Sequence, residues 1–325
     1  MPHTLQRLLA QGVLALRQAG VDSAELDARL LAEAALHLTH AQVLTNYNEC
    51  VPGPLVEEFL GLVQRRAARE PLAYVLGHAD FYGRSFLCDR RALVPRPETE
   101  LLVDLARVFC AELGAQAIIA DVGLGTGVVG ITLALECPQA VVWGTEISPS
   151  ALQVARANAA FHHLNGRMRM AEGSLLQPLF DTGVADQITV LVSNPPYVRS
   201  EELKTLQPEV SVWEPRLALD GGPEGLDLYE ALLAEAAHLP ALQAVFLEVG
   251  YDTAEPVCAL ARRTWPQAET QVRDDLAGLP RVVCLRLLRT HHPTPLPERE
   301  GGESKIGSGN NPGAERENLV GVAPE

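Results

Sequence analysis

Between Thr4 and about Arg69 the apolar residues recur at helical spacing. Leu5, Leu8, Leu9, Val13, Leu14 and Leu16 form a broad stripe that Gly20 ends. Leu26, Leu30, Leu31 and Ala35 form a second stripe, with Ser23 in N-cap position ahead of it and Asp27 a turn later. A third short helix is expected after Thr39 and a fourth from about Pro54 to Arg69. This predicts a small helical bundle over residues 1–70. Over 71–95 the pattern changes. Phe81, Phe86, Leu87, Leu93 and Val94, punctuated by Gly77 and Gly83, predict a β-hairpin linking two domains. Arg96-Pro97-Glu98-Thr99-Glu100 then opens a helix: proline near its first position and acids in its first turn suit a helix start, but the arginine is left unexplained.

From Ala117 onward apolar runs alternate with helical stripes. Strands are expected at Ala117–Val122, Ala140–Glu146, Met168–Ala171, Thr189–Ser193, Ala244–Val249, Thr270–Arg273 and Val282–Leu287. Helices fill the gaps to about Glu136, from Pro149 to about Ala160, across Leu226–His238 and over Thr253–Arg263. Alternation of this kind predicts an α/β domain over 96–289 with a mainly parallel sheet. Residues 290–325, rich in Pro, Gly, Glu, Ser and Asn, read as a disordered tail without chemistry.

Composition narrows the classes. The chain has 325 residues, 47% of them hydrophobic, enough for one large domain and a small one. No apolar run reaches the length of a membrane helix, and Met1-Pro2-His3-Thr4 does not open a signal peptide. Six scattered cysteines read as reduced thiols in a cytoplasmic protein. A net charge of −15 argues against bulk binding of nucleic acid. No metal-ligand spacing occurs, and His162-His163 at a helix end read as solvent-exposed.

The most informative stretch is Val190-Leu191-Val192-Ser193-Asn194-Pro195-Pro196-Tyr197. A buried strand ends in two prolines, which forbid further ladder pairing and stiffen the backbone. Asn194 and the Pro195 carbonyl then offer two acceptors, and Tyr197 a flat wall, to a planar group bearing an NH2. Such a nitrogen is a poor nucleophile because its lone pair is delocalised. Two acceptors on its protons orient it and carry positive charge as it attacks an electrophile. Read alone, the stretch is equally a turn after a strand.

Asp121-Val122-Gly123-Leu124-Gly125-Thr126-Gly127 changes that balance. It follows the first strand of the alternating region and opens a helix, so its glycines allow close backbone approach and supply free amides. Glu146 ends the next strand, where a carboxylate can accept both hydroxyls of a ribose. Gly125-Thr126-Gly127-Val128-Val129-Gly130 also fits a dinucleotide fingerprint. Two features favour S-adenosylmethionine: the acid at 121, suited to a cationic amino-acid end, and the Asn-Pro-Pro-Tyr strand end, which has no role in hydride transfer.

In these residues the sequence resembles the release factor glutamine methyltransferases of the HemK/PrmC type. The likeness rests on 70–77 (Glu-Pro-Leu-Ala-Tyr-Val-Leu-Gly), 94–100 (Val-Pro-Arg-Pro-Glu-Thr-Glu), the glycine loop, Glu146-Ile147-Ser148-Pro149 and Asn194-Pro195-Pro196-Tyr197. Glu214-Pro215-Arg216 and Leu247-Glu248-Val249-Gly250 continue it, and it covers about 5 to 288. It implies a helical domain that docks class 1 peptide chain release factors, a hairpin linker, and a seven-stranded Rossmann-like class I methyltransferase domain. It implies methyl transfer from S-adenosylmethionine to the glutamine nitrogen of a Gly-Gly-Gln loop. Carried over by position, Gly123, Leu124, Gly125, Thr126, Gly127, Glu146, Leu175 and Asn194 would hold the cofactor. Asn194, Pro195, Pro196 and Tyr197 would hold the glutamine amide, with Asn194, Pro195 and Tyr197 catalytic. The segment 96–100 would cover the site, without individual roles. Ser174 stands where the family often has an acid facing adenine. Monomer is the default state. The rival readings are a ribosomal-protein glutamine methyltransferase and a DNA adenine-N6 methyltransferase acting on a flipped base, the latter disfavoured by the acidic charge.

Overall fold

A computed structural model describes residues 4–113, 117–164 and 166–287. The expected tail lies outside them. Helices α1 (Leu5–Gln18), α2 (Ala24–Leu36), α3 (His40–Thr45) and α4 (Gly53–Ala67) pack around their own core, with Leu8, Leu16, Leu31 and Phe59 fully buried. α1 and α4 meet closely because Gly12 lies under Phe59: a Cβ there would stand 2.7 Å from the ring. Thr39 caps α3 through a reciprocal capping box with Gln42. Ser23 precedes α2 but does not cap it. Its hydroxyl donates to Asp27 Oδ1 at 2.8 Å, so the side chain that looked like a cap instead orients a buried carboxylate.

A short helix α5 (Leu72–Leu76) leads into the hairpin β1 (His78–Phe81) and β2 (Arg84–Leu87). Phe81 pairs with Arg84, leaving a two-residue turn in which Tyr82 (φ 52°) and Gly83 (φ 69°) both lie in the left-handed region. This conformation suits right-twisted strands but strains a tyrosine. Glu100, at the start of α6 (Glu100–Glu112), accepts the Tyr82 N–H at 2.6 Å, and Asp104 accepts its hydroxyl at 2.7 Å. The linker is thus pinned to the helix after it.

The larger domain contains β3 (Ile118–Val122), α7 (Val128–Glu136), β4 (Val141–Glu146), α8 (Pro149–Phe161), β5 (Met168–Glu172), α9 (Gln177–Asp181) and β6 (Val190–Ser193). Then follow α10 (Pro208–Ser211), α11 (Asp227–Ala236), β7 (Ala244–Glu248), α12 (Ala254–Thr264), β8 (Glu269–Asp274) and β9 (Pro280–Arg286). Seven strands form one sheet in the order β5-β4-β3-β6-β7-β9-β8, with β9 antiparallel to both neighbours. Alternation along the strands feeds two cores. Ile119, Val190, Val192 and Phe246 join α6 and α7 on one face, while Ala120, Leu191, Val245 and Leu247 join α11 and α12 on the other. Strand bounds agree with those expected from sequence to within about two residues.

The topology fixes where a ligand can sit. The chain runs outward from β3 through β4 to β5, then returns to place β6 on the other side of β3. Ligands bind at the carboxyl ends of strands beside such a reversal. Val122, Thr145 and Ser193 are register partners across β4, β3 and β6, so the glycine loop, Glu146 and Asn194 all leave the sheet at one level.

Candidate active site

A cavity of about 490 Å³ opens at this edge, within the usual range for small-molecule sites. Of the residues singled out from the sequence, it is lined by Gly123, Leu124, Gly125, Thr126, Glu146, Ser174, Leu175, Asn194, Pro195 and Pro196. Gly127 and Tyr197 are not in the lining. Gly127 is the N-cap of α7 at φ 83°, where a Cβ would meet Ile131 Cδ1 at 2.9 Å; its role in the structure is packing of α7. The ring of Tyr197 packs against the α11–α12 core beside the cavity.

The glycine loop is shaped by its neighbours. Gly123 and Gly125 both have positive φ, and a Cβ at either would meet nothing within 4 Å, so the backbone is bare toward the cavity. Between them Leu124 is buried over Gly144 of β4, where a Cβ would lie 2.5 Å from Leu124 Cδ2. Glu146 is 7% exposed and organises the loop directly: Oε2 accepts Gly125 N–H and Oε1 accepts Ser148 N–H, both at 2.8 Å. Each oxygen keeps a lone pair for a hydroxyl. From the other side, the fully buried Asn158 of α8 donates to Thr126 O at 2.9 Å and exchanges two hydrogen bonds with Leu87 of the hairpin.

The sequence suggested that Asp121 faces a cationic ligand group. The structure gives one of its oxygens another task, since Oδ2 accepts Gly130 N–H at 2.7 Å and braces the first turn of α7. Burial pushes this carboxyl up to about 7.

Segment 96–100 acquires individual contacts. Arg96 Nη2 donates to both oxygens of buried Glu214, at 2.8 and 2.7 Å, tying the start of α6 to the loop after β6. This explains the arginine that helix-start chemistry left over. Thr99 Oγ1 accepts from Asn194 Nδ2 at 3.3 Å. An amide whose nitrogen is so engaged presents its oxygen as an acceptor. Pro97–Thr99 form one turn of 3-10 helix, not the first turn of the α-helix. Sequence reasoning also missed Arg90, Arg91, Leu217 and Asp220 in the cavity lining. They come from irregular connections, where no periodicity marks them.

His162 is not the exposed side chain expected. Its ring lies 4.6 Å from that of Phe86 and its Nε2 is 3.0 Å from Ser85 O, closing α8 onto the hairpin.

The helical domain joins the loop after β6 through ions. Arg66 and Arg69 of the α4 region hold Glu209 of α10: Arg66 Nη1 at 2.8 Å, Arg69 Nε at 2.7 Å and Nη2 at 2.6 Å. Arg66 also donates to Asp27 Oδ2 at 2.7 Å.

A reversed seven-strand sheet with a bare glycine loop, an acid on the next strand and Asn-Pro-Pro after the fourth defines a methyltransferase-type domain. A family model described as "Methyltransferase small domain" matches residues 99–212, and one described as "PrmC N-terminal domain" matches 7–77. The chain is 36% identical over 287 residues to the release factor glutamine methyltransferase of Geobacter sulfurreducens, covering 87% of this chain and 97% of that one. It is 40% identical over 283 residues to that of Deinococcus radiodurans, covering 87% and 98%. The chain belongs to the release factor glutamine methyltransferase family. Among solved structures, the hMettl16 catalytic domain in complex with MAT2A 3'UTR hairpin 6 superposes with a TM-score of 0.54 at 14% identity, covering 70% of this chain and 83% of that one. That likeness is one of fold.

Proposed function

We propose that this protein methylates the side-chain nitrogen of the glutamine in the Gly-Gly-Gln loop of class 1 peptide chain release factors, with S-adenosylmethionine as donor. The observation that carries the reading is the convergence of Asn194, Pro195 and Pro196 with the glycine loop and Glu146 on one cavity. Membership of the family, over nearly the whole length of its relatives, supports the substrate class.

The residues present fit the donor. The bare backbone at Gly123 and Gly125 allows close approach, Glu146 retains acceptor capacity for a ribose, and Leu175 offers apolar packing, with Ser174 beside it for a polar contact. When bound, the donor supplies an electrophilic methyl group on a sulfonium. Asn194 Oδ1 and the Pro195 carbonyl accept the two protons of the glutamine amide, and turn its nitrogen lone pair out of conjugation. Pro195 and Pro196 fix that carbonyl because their φ is locked. Tyr197, set beside the cavity, supports the strand end and lends an apolar flank. The one proton that the nitrogen loses passes to solvent, since the grip holds no general base. The helical domain docks the release factor, and the protein acts as a cytoplasmic monomer; among the described residues no helix is long and apolar enough to cross a membrane.

Mass spectrometry of a folded release factor incubated with the protein and S-adenosylmethionine tests this. A gain of about 14 Da on the Gly-Gly-Gln glutamine is expected. Absence of that gain, with cofactor binding demonstrated, would overturn the substrate and turn attention to ribosomal proteins.

A further inference from the structure

One face of α8 spans the gap between the glycine loop and the hairpin. Ala155, Asn158 and the C-cap His162 follow one another along it at helical spacing. Ala155 meets the loop: a Cβ built on Gly127 would stand 3.2 Å from Ala155 Cβ. His162 meets the hairpin, its Nε2 3.0 Å from Ser85 O. Asn158 stands between them, fully buried, and holds both sides. Its Nδ2 donates to Thr126 O at 2.9 Å and to Leu87 O at 3.0 Å, while Oδ1 accepts the Leu87 N–H at 2.7 Å.

A carboxamide fits this set. It supplies two N–H donors for two carbonyls and one acceptor for one N–H. A carboxylate would have no hydrogen to give, and an apolar side chain would leave three backbone groups without partners. The two segments it joins have different tasks. Thr126 lines the cavity, and Leu87 ends the hairpin through which α1 to α5 join the rest of the chain.

We propose that Asn158 couples the glycine loop to the hairpin, so that a cofactor settling the loop also fixes the element that carries the helical domain. Asn158 is then a positioning residue, since it is absent from the cavity lining. The inference rests on the reading that the cavity binds S-adenosylmethionine. Its logic is geometric. The carboxamide is planar and rigid, so a displacement of the Thr126 carbonyl that drags Nδ2 with it tilts the plane and worsens both bonds to Leu87. Coupling of this kind is reciprocal: whatever loosens the hairpin must weaken cofactor binding by the same factor.

Two readouts test the coupling, and neither needs the methyl acceptor. The first is amide exchange of the hairpin, followed by mass spectrometry over residues 84–88. In the parent protein, saturating S-adenosylmethionine should slow exchange at Leu87 by about fivefold or more, the lower end of ordinary coupling between sites. In Asn158→Ala that amide should exchange fast with or without cofactor. The second readout is cofactor affinity by calorimetry. Asn158→Ala should raise Kd by about tenfold, the scale of one hydrogen bond. His162→Ala separates coupling from local support of the loop, and keeps the test open should Asn158→Ala fail to fold. It cuts a hold of α8 on the hairpin and touches neither loop nor cavity, yet Kd should still rise about threefold, a fraction of one hydrogen bond. Hairpin exchange indifferent to cofactor in the parent would overturn the proposal, as would parental affinity in His162→Ala. A parent that binds no S-adenosylmethionine would bring down the reading of the cavity, and this inference with it; the same titration shows which has failed.

Discussion

Glu146 offers the sharpest test of how the cofactor pocket is built, because two changes, one that removes the side chain and one that keeps its volume, test the carboxylate in different ways. Its two oxygens accept the amides of Gly125 and Ser148, each at 2.8 Å. Glu146→Ala removes both acceptors and the ribose contact, but leaves two amides that water can reach, since Gly125 and Ser148 are only half-buried. Glu146→Gln keeps the volume but must aim its NH2 at one of those amides, donor against donor. A hydrogen bond to a charged acceptor contributes about 1.5–3 kcal/mol, and about 1.4 kcal/mol is tenfold in affinity. Either variant should therefore weaken S-adenosylmethionine binding by about ten- to a hundredfold, and Glu146→Gln should be no better than Glu146→Ala. Calorimetric titration of each variant with the cofactor measures this directly. If Glu146→Gln binds within about twofold of the parent, the carboxylate is not organising the loop, and the pocket as described is wrong.

Three further outcomes are expected. Asn194→Ala should keep cofactor affinity but lower kcat by about a hundredfold or more, the scale of losing one positioned polar group; rapid-quench assay of release factor methylation reads it, and unchanged turnover removes Asn194 from the mechanism. Gly144→Ala, whose Cβ would lie 2.5 Å from Leu124 Cδ2, should displace the glycine loop and cost about 1–3 kcal/mol, seen as weaker cofactor binding and a lower Tm together. Stability should fall as pH rises from about 4.5 to about 7, because the Glu248 carboxyl starts from an ordinary value of 4.5 and is held near 7 in the folded state. The folded protein binds the extra proton, so this contribution is complete below the lower value and gone above the upper. Thermal melts of Glu248→Gln should show a smaller loss over that window, and an identical pH dependence would argue against the raised value.

Much of this was legible in the sequence, for a physical reason. Elements came from patterns that local chemistry imposes: the stripe of α1, the short apolar runs of β3, β6 and β7, and the breaks at Gly20 and Asn194-Pro195-Pro196. The glycine loop and Glu146 were legible because their chemistry is written in residue type and spacing. What escaped notice lies across the fold. Thr99 looked like a helix-start residue, and only tertiary packing brings its hydroxyl to Asn194. Ser23 looked like a cap because its position was right; the competing carboxylate of Asp27, held by Arg66 from a distant helix, took its hydroxyl instead. Tyr197 was read as a wall of the site from proximity in sequence, yet the turn of two prolines carries its ring toward the α11–α12 core.

The contacts that sequence could not show share a destination. The connection from β6 to α11 is tied to the hairpin–α6 segment by Arg96–Glu214 and Thr99–Asn194, and to the helical domain by Arg66 and Arg69 on Glu209. Hence the stretch that would grip the glutamine takes its position from both other parts of the chain. On that view Glu209→Ala touches neither cofactor nor acceptor amide, yet it should raise KM for a folded release factor if the proposed docking is right, because two guanidiniums lose their shared anchor and the helical domain loses its fixed distance from the grip. Each charge-assisted bond contributes about 1.5–3 kcal/mol before the entropy of the freed side chains is recovered, so the expected rise is about tenfold. A short Gly-Gly-Gln peptide does not span both domains, and its KM should not move. Equal effects on protein and peptide would mean that Glu209 supports the grip locally, and that the helical domain takes no part in presenting the substrate.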